Sequence, residues 1–118
     1  MIYTEDQIAQ VIHAANGALQ EIHGETPLQP GWAHAPEAMR ARVLSLVRGY
    51  RAGITARQAH ERWLELMAAD GWRYGPRKDP GARLHPNMVA FGDLPDDQRV
   101  KDLLSQQITL VLSGGGSW

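Results

Sequence analysis

Between Trp72 and Leu94 the chain carries Gly75, Pro76, Pro80, Gly81, Pro86 and Gly92, too many breakers for a long regular element. Helical periodicity is confined to the flanking segments. Thr4-Glu5-Asp6-Gln7 is a capping-box pattern, and Ile8, Val11, Ile12, Ala15, Leu19 and Ile22 then recur at helical spacing up to Gly24, predicting a first helix over residues 5–23. Pro27, Pro30, Gly31 and Pro36 mark residues 24–36 as a crossing loop anchored by Trp32. A second helix follows from Pro36, with Met39, Val43, Leu46, Val47 and Tyr50, and stops near Gly53. A third runs from Thr55 to Asp70 with Gly71 as its cap and aligns Ala56, His60, Trp63 and Met67 on one face. A last helix starts close to Pro95 and uses Val100, Leu103, Leu104, Ile108 and Val111.

These segments predict an all-α, compact four-helix domain over residues 1–112, with one long ordered loop between helices 3 and 4 and a short strand around Met88–Phe91. Residues 113–118 read as a flexible Gly-rich tail. With 118 residues the length prior gives one domain. A loop of over roughly 20 residues in so small a domain is uncommon without a function, which makes it the candidate site.

The net charge of −1 hides a segregation. Residues 1–37 hold five acidic side chains and no Lys or Arg; residues 38–83 hold ten basic against four acidic; residues 84–118 hold two basic against four acidic. The balanced total argues against DNA or RNA as a partner, while the basic middle can still hold a small anion. Arg40, Arg42, Arg48, Arg51 and Arg57 read as a solvated helix face. The absence of cysteine removes disulfides, thiolate metal sites and a cysteine nucleophile. With neither a signal-peptide pattern nor an apolar run of spanning length, no membrane partner is expected and the expected location is the cytoplasm.

Catalytic signatures are missing. There is no Gly-x-Ser-x-Gly elbow, Walker loop or dinucleotide glycine pattern, and His60-Glu61 is not a zinc helix because position 64 is Leu. His60, Glu61, Asp79 and His85 are not shown to converge on a metal, and Glu61 with Asp79 as a hydrolytic carboxylate pair has no fixed separation. Neither catalysis nor a resident cofactor or metal is expected.

Binding is better supported. Trp63, Trp72 and Tyr74 can offer flat faces to a planar ring, while Arg73, Arg77, Lys78 and Arg83 can meet phosphate or carboxylate. Each Trp taken alone is also a core candidate, but packing does not account for the cations and histidines of the same loop. His60 either contacts the ligand or bonds a backbone carbonyl under the loop, and His85 before Pro86 either does the same or braces an extended turn. Asp79 and Glu61 read as holders of Lys78, Arg83 or backbone N–H groups, and Gly75 and Pro76 as turn-makers.

The run His60-Glu61-x-Trp63, Gly71-Trp72-x-Tyr74-Gly75, Asp79, Arg83-x-His85-Pro86 and Leu94-Pro95 resembles the ryanodine-receptor repeat (RyR) domain motif. The match covers roughly residues 55–112, and residues 1–54, with His13, Asn16 and Trp32, look like the helical extension of stand-alone bacterial and phage members. The resemblance implies a helical binding module, since in animal calcium-release channels a paired-repeat unit can hold an adenine nucleotide. The helix His and Trp of that site match His60 and Trp63, and the position after His-Pro matches Asn87, where many members have Cys. Arg83 stands where Lys is frequent and Phe91 where Tyr is frequent, so the ligand's polar contacts differ here. One motif per chain against two in the channels implies a homodimer.

The expectation is a non-catalytic module that senses or sequesters a nucleotide-like ligand of the adenine or ADP-ribose type, in a phage or defence setting. Its site is His60, Trp63, Trp72, Tyr74, Arg77, Lys78, Asp79, Arg83, His85 and Asn87. The alternatives are a protein-interaction or assembly module docking through the Trp-rich loop, and a hydrolase acting on the same nucleotide.

Overall fold

In the computed structural model, which describes residues 3–114, both predicted capping sites start helices. The Thr4 hydroxyl accepts from the Gln7 N–H at 3.1 Å and the Gln7 side chain accepts from the Thr4 N–H at 2.9 Å, opening α1 (Glu5–Ile22). Thr55 and Gln58 repeat that reciprocal pair ahead of α3 (Ala56–Ala69). Pro36 and Pro95 precede α2 (Glu37–Arg51) and α4 (Asp96–Leu112) as the capping residues rather than the first helical ones. Gly24 and Gly71 end α1 and α3 with φ of +68° and +88°, the left-handed turn that glycine adopts without a Cβ clash.

The core lies between α1 and α2. Ile8, Ala9 and Ile12 meet Val43 and Val47, and Trp32, Leu44, Ile108 and Leu112 close over them. Trp32 thus anchors its loop as expected, from a short 3-10 turn (Trp32–His34). Tyr50, 1% exposed, donates from its hydroxyl to the Asp102 carbonyl at 3.0 Å and ties α2 to α4. Packing of α3 against both α2 and α4 completes the four-helix arrangement. No helix among the described residues is long and apolar enough to cross a membrane.

Three expectations change. The strand does not lie at Met88–Phe91: β1 (Arg73–Tyr74) pairs in parallel with β2 (Leu84–His85), and Phe91 opens a 3-10 turn (Phe91–Asp93). Gly75 makes this pairing possible, because a Cβ there would lie 2.7 Å from the Leu84 Cβ. The second change is in α4, which turns Ser105, Thr109, Ile108 and Leu112 to the bundle and leaves Val100, Leu103, Leu104 and Val111 exposed, so of the apolar residues expected to pack only Ile108 does. On α1, likewise, Val11 is 45% and Ile22 77% exposed. Of the tail expected at 113–118, Ser113 caps α4 and Gly114 follows in left-handed backbone, while residues 115–118 lie outside the described residues.

Candidate functional site

All four helices and the two connecting loops enclose a cleft of about 190 Å³. Its aromatic wall follows from local geometry. One helical turn separates His60 from Trp63 on α3, and their rings stack with centroids 5.5 Å apart and planes inclined by 22°. Past the Gly71 turn, Trp72 meets His85 edge-on at 6.1 Å, and Trp63 meets the same imidazole edge-on at 5.1 Å. Both indoles line the cleft and are only partly buried.

The opposite wall is polar and is assembled from distant segments. Gln29 donates to the His13 carbonyl at 2.7 Å and His13 Nε2 donates to the Pro30 carbonyl at 2.7 Å, which folds the 24–30 loop back onto α1. That fold delivers Glu25 to α4, where it accepts from Lys101 at 2.7 and 2.8 Å and from Gln98 at 2.8 Å. Gln98 in turn accepts from Asn87 at 2.7 Å, and the Asn87 backbone N–H donates to His85 Nδ1 at 3.0 Å. The chain of bonds thus runs from the aromatic wall to the acidic first segment. Burial pushes the Glu25 carboxyl up, but the Gln98 and Lys101 hydrogen bonds and the Lys101 charge outweigh it and leave the group below its ordinary value.

Protonation states follow from these contacts. Burial, reinforced by the charges of Lys78 and Lys101, drops the His85 imidazole to about 4, so it is neutral at pH 7 with its proton on Nε2. Burial also lowers His60, whose Nε2–H donates to the Val89 carbonyl at 2.7 Å and leaves an Nδ1 lone pair 4.0 Å from Asp102 Oδ2. Of the two readings of His60, the bond to a loop carbonyl is present, and the side chain also lines the cleft.

Several groups in the cleft lack complements among the described residues. Arg42 and Lys78 form no ion pair, and burial holds both below their ordinary values. Lys78 only approaches the Pro27 carbonyl, at 3.5 Å. The Asn16 Oδ1 is buried with no partner. Burial raises the Asp102 carboxyl to about 7, against a smaller lowering by Lys101. Unpaired charge of both signs thus lines one cavity. No group of three or more His, Asp or Glu side chains placed to hold a metal occurs among the described residues.

Of the ten residues expected at the site, the cleft brings together His60, Trp63, Trp72, Lys78, His85 and Asn87. Tyr74, Arg77, Asp79 and Arg83 lie outside its lining. Tyr74 is 58% exposed on β1, and Arg77 is exposed in the turn after it. Asp79 Oδ1 caps the Ala82 N–H at 3.1 Å, and Arg83, at φ 55°, donates to the Asp70 carbonyl at 2.6 Å at the end of α3. Those two hold the loop's shape. Arg42, read as part of a solvated face, turns into the cleft, whereas Arg48 and Arg51 pair with Glu5 outside. The residues missed in sequence, above all Glu25, Gln98, Lys101 and Asp102, had one local signal: on α4, positions 98, 101, 102, 105 and 109 form a polar stripe at helical spacing.

No protein-family model matches the chain.

Asp102 gives a prediction with a definite sign. Its folded value of about 7 lies above the ordinary 3.8, so between these pH values the folded state binds more protons than the unfolded one, and stability is lost as pH rises. Asp102→Asn, which has no charge to bury, is expected to gain in melting temperature relative to the parent protein as pH goes from about 4 to about 8. Paired thermal melts across that range check it; a constant difference would show that the carboxyl titrates normally.

Proposed function

We propose that this chain is a non-catalytic binding module for a nucleotide or nucleotide-derived signal of the adenine or ADP-ribose type, which it senses or sequesters. The observation that carries the reading is the cleft itself, where the His60, Trp63, Trp72 and His85 rings share one cavity with the unpaired cations Arg42 and Lys78. Aromatic faces favour a planar base, and desolvated cations favour phosphate. The resemblance of residues 55–112 to the RyR motif supports the same reading. A cavity of about 190 Å³ is below the common range of roughly 300–1,000 Å³ for drug-sized ligands, which favours one nucleoside-phosphate end over a whole dinucleotide.

Calorimetric titration with AMP, ADP, ADP-ribose and inorganic phosphate tests binding, and chromatography of the recovered ligand tests turnover. Saturable binding of an adenine nucleotide recovered unchanged is the expected result. Silence across the panel removes the reading, and a changed nucleotide converts it to an enzyme.

A second reading, association with another copy of the chain, is favoured by a different observation. Val11 on α1 and Leu104, Gln107, Ile108, Val111 and Leu112 on α4 line a largely apolar groove of about 320 Å³, and Val100 and Leu103 of α4 are exposed as well. One contiguous apolar face is what a two-fold, self-complementary interface needs. The Trp-rich loop is less suited to docking, because Trp63 and Trp72 line the cleft. Light scattering over a wide concentration range, with and without AMP, distinguishes dimer from monomer; a monomer throughout removes this reading.

A further inference from the structure

We infer that Asp102, facing His60 across the cleft, is the subsite that receives the vicinal hydroxyls of the ligand's sugar, and so selects nucleotides with a free 2′,3′-diol. The inference rests on the nucleotide reading and adds to it a specificity-determining residue and a class of excluded ligands.

The geometry is one of acceptors without donors. With its proton committed to the Val89 carbonyl through Nε2 (2.7 Å), His60 presents only a lone pair at Nδ1, and the ring is 4% exposed, so it is not free to turn to solvent. Asp102 Oδ2 lies 4.0 Å from that nitrogen, too far for a direct hydrogen bond, and its side chain is 20% exposed, so the carboxylate is open to a ligand's donors. The Asp102 carboxylate accepts no hydrogen bond among the described residues, although its own backbone carbonyl is used by Tyr50. Asn16 Oδ1 is a further buried acceptor in the same lining with no partner. While Asp102 is ionised, a ligand in this cleft meets acceptors that hydroxyl or amino hydrogens satisfy.

The neighbours of Asp102 separate hydroxyl from amino. Its carboxylate lies 4.0 Å from His60, which stacks on Trp63, and shares the cleft lining with the unpaired cations Arg42 and Lys78. Aromatic face, carboxylate and cation thus occur in one cleft. A nucleotide presents base, sugar and phosphate together. A carboxylate can take both hydroxyls of a vicinal diol, and an acidic side chain on a ribose hydroxyl is a recurrent way of reading nucleotides.

The test is calorimetry on the full chain with AMP, 2′-deoxy-AMP, 3′-deoxy-AMP and 3′,5′-cyclic AMP. The parent protein is expected to prefer AMP over each of the other three by about ten- to hundred-fold, as expected for loss of a charge-assisted hydrogen bond. Asp102→Asn should narrow that preference to about threefold and Asp102→Ala should abolish it, with thermal unfolding showing that both variants fold. Equal affinity for AMP and the deoxy nucleotides in the parent protein, or a preference that survives in Asp102→Ala, overturns the inference and leaves nucleotide binding intact. Failure of all four compounds to bind overturns the inference, and failure of ADP and ADP-ribose as well overturns the nucleotide reading.

Discussion

Lys101→Met is expected to destabilise the protein by about 3 kcal/mol, the lower end of the range for breaking a buried ion pair by removing one partner. The Lys101 and Glu25 side chains are 14% and 23% exposed, so water offsets part of the loss, but the carboxylate is left with Gln98 and His23 alone. For a domain held by roughly 5–15 kcal/mol, that is a large fraction, and the melting temperature should fall by on the order of 10 °C. Glu25→Gln should cost less, because Lys101 keeps the Gln98 oxygen at 2.9 Å, and the double variant should cost less than the sum of the two singles. The pH dependence has a fixed sign: Glu25 titrates below its ordinary 4.5 in the folded state, so the stability it contributes is present above that pH and disappears as pH falls through the lowered value. Additive effects in a double-mutant cycle, or a Lys101→Met loss under about 1 kcal/mol, would show that the pair is solvated and energetically idle.

The second large effect belongs to Trp63. Its indole is partly buried, stacked on His60 and met edge-on by His85, so it forms a wall of the cleft rather than the centre of the core. Trp63→Ala is expected to lose about 1–3 kcal/mol of AMP binding and to cost less stability than the roughly 3–5 kcal/mol of a fully buried Trp. His60→Ala removes the stacking partner and the bond to Val89 together, so it should weaken binding and also loosen the 86–91 loop. Titration and thermal unfolding on both variants give the two numbers that matter. A Trp63→Ala protein that melts far lower while His60→Ala binds AMP normally would take both residues out of the site.

What the sequence disclosed was local. The capping box at Thr4, the helix start at Thr55, glycine stops at 24 and 71 and the periodicity of α1 to α3 are encoded within a few residues, and all four helices appear within about two residues of their expected ends. His60, Trp63 and Trp72 were legible as a set because helix spacing and one left-handed turn suffice to aim them together, whereas His85 reaches them through the unforeseen β1–β2 pairing. The opposite wall was not legible. Glu25 and Lys101 lie 76 residues apart, and no spacing rule links them. Helix α4 misled for a physical reason: burial normally selects apolar stripes, but the wall of a polar cleft selects Gln98, Lys101 and Asp102, so Ile108 and Leu112 reach the core while Val100, Leu103, Leu104 and Val111 are turned outward. Tyr74, Arg77, Asp79 and Arg83 share the loop's composition but not its direction, since the β1–β2 pairing and the turn at Asp79 set which side chains face inward.

The bonds that Glu25 makes across the cleft also bear on modularity. Residues 55–112 carry the stretch that resembles the RyR motif, which invites treating them as a cassette that can be cut out, shuffled or fused elsewhere. They are not self-sufficient. The carboxylate that holds Lys101, the α1 and α2 side chains that close the cleft, and the Arg42 cation all come from residues 1–54. A transplanted cassette would carry its aromatic wall but arrive with an orphaned lysine and a cavity open on one side. Inheritance, exchange and engineering of this protein must therefore move both halves as a single unit.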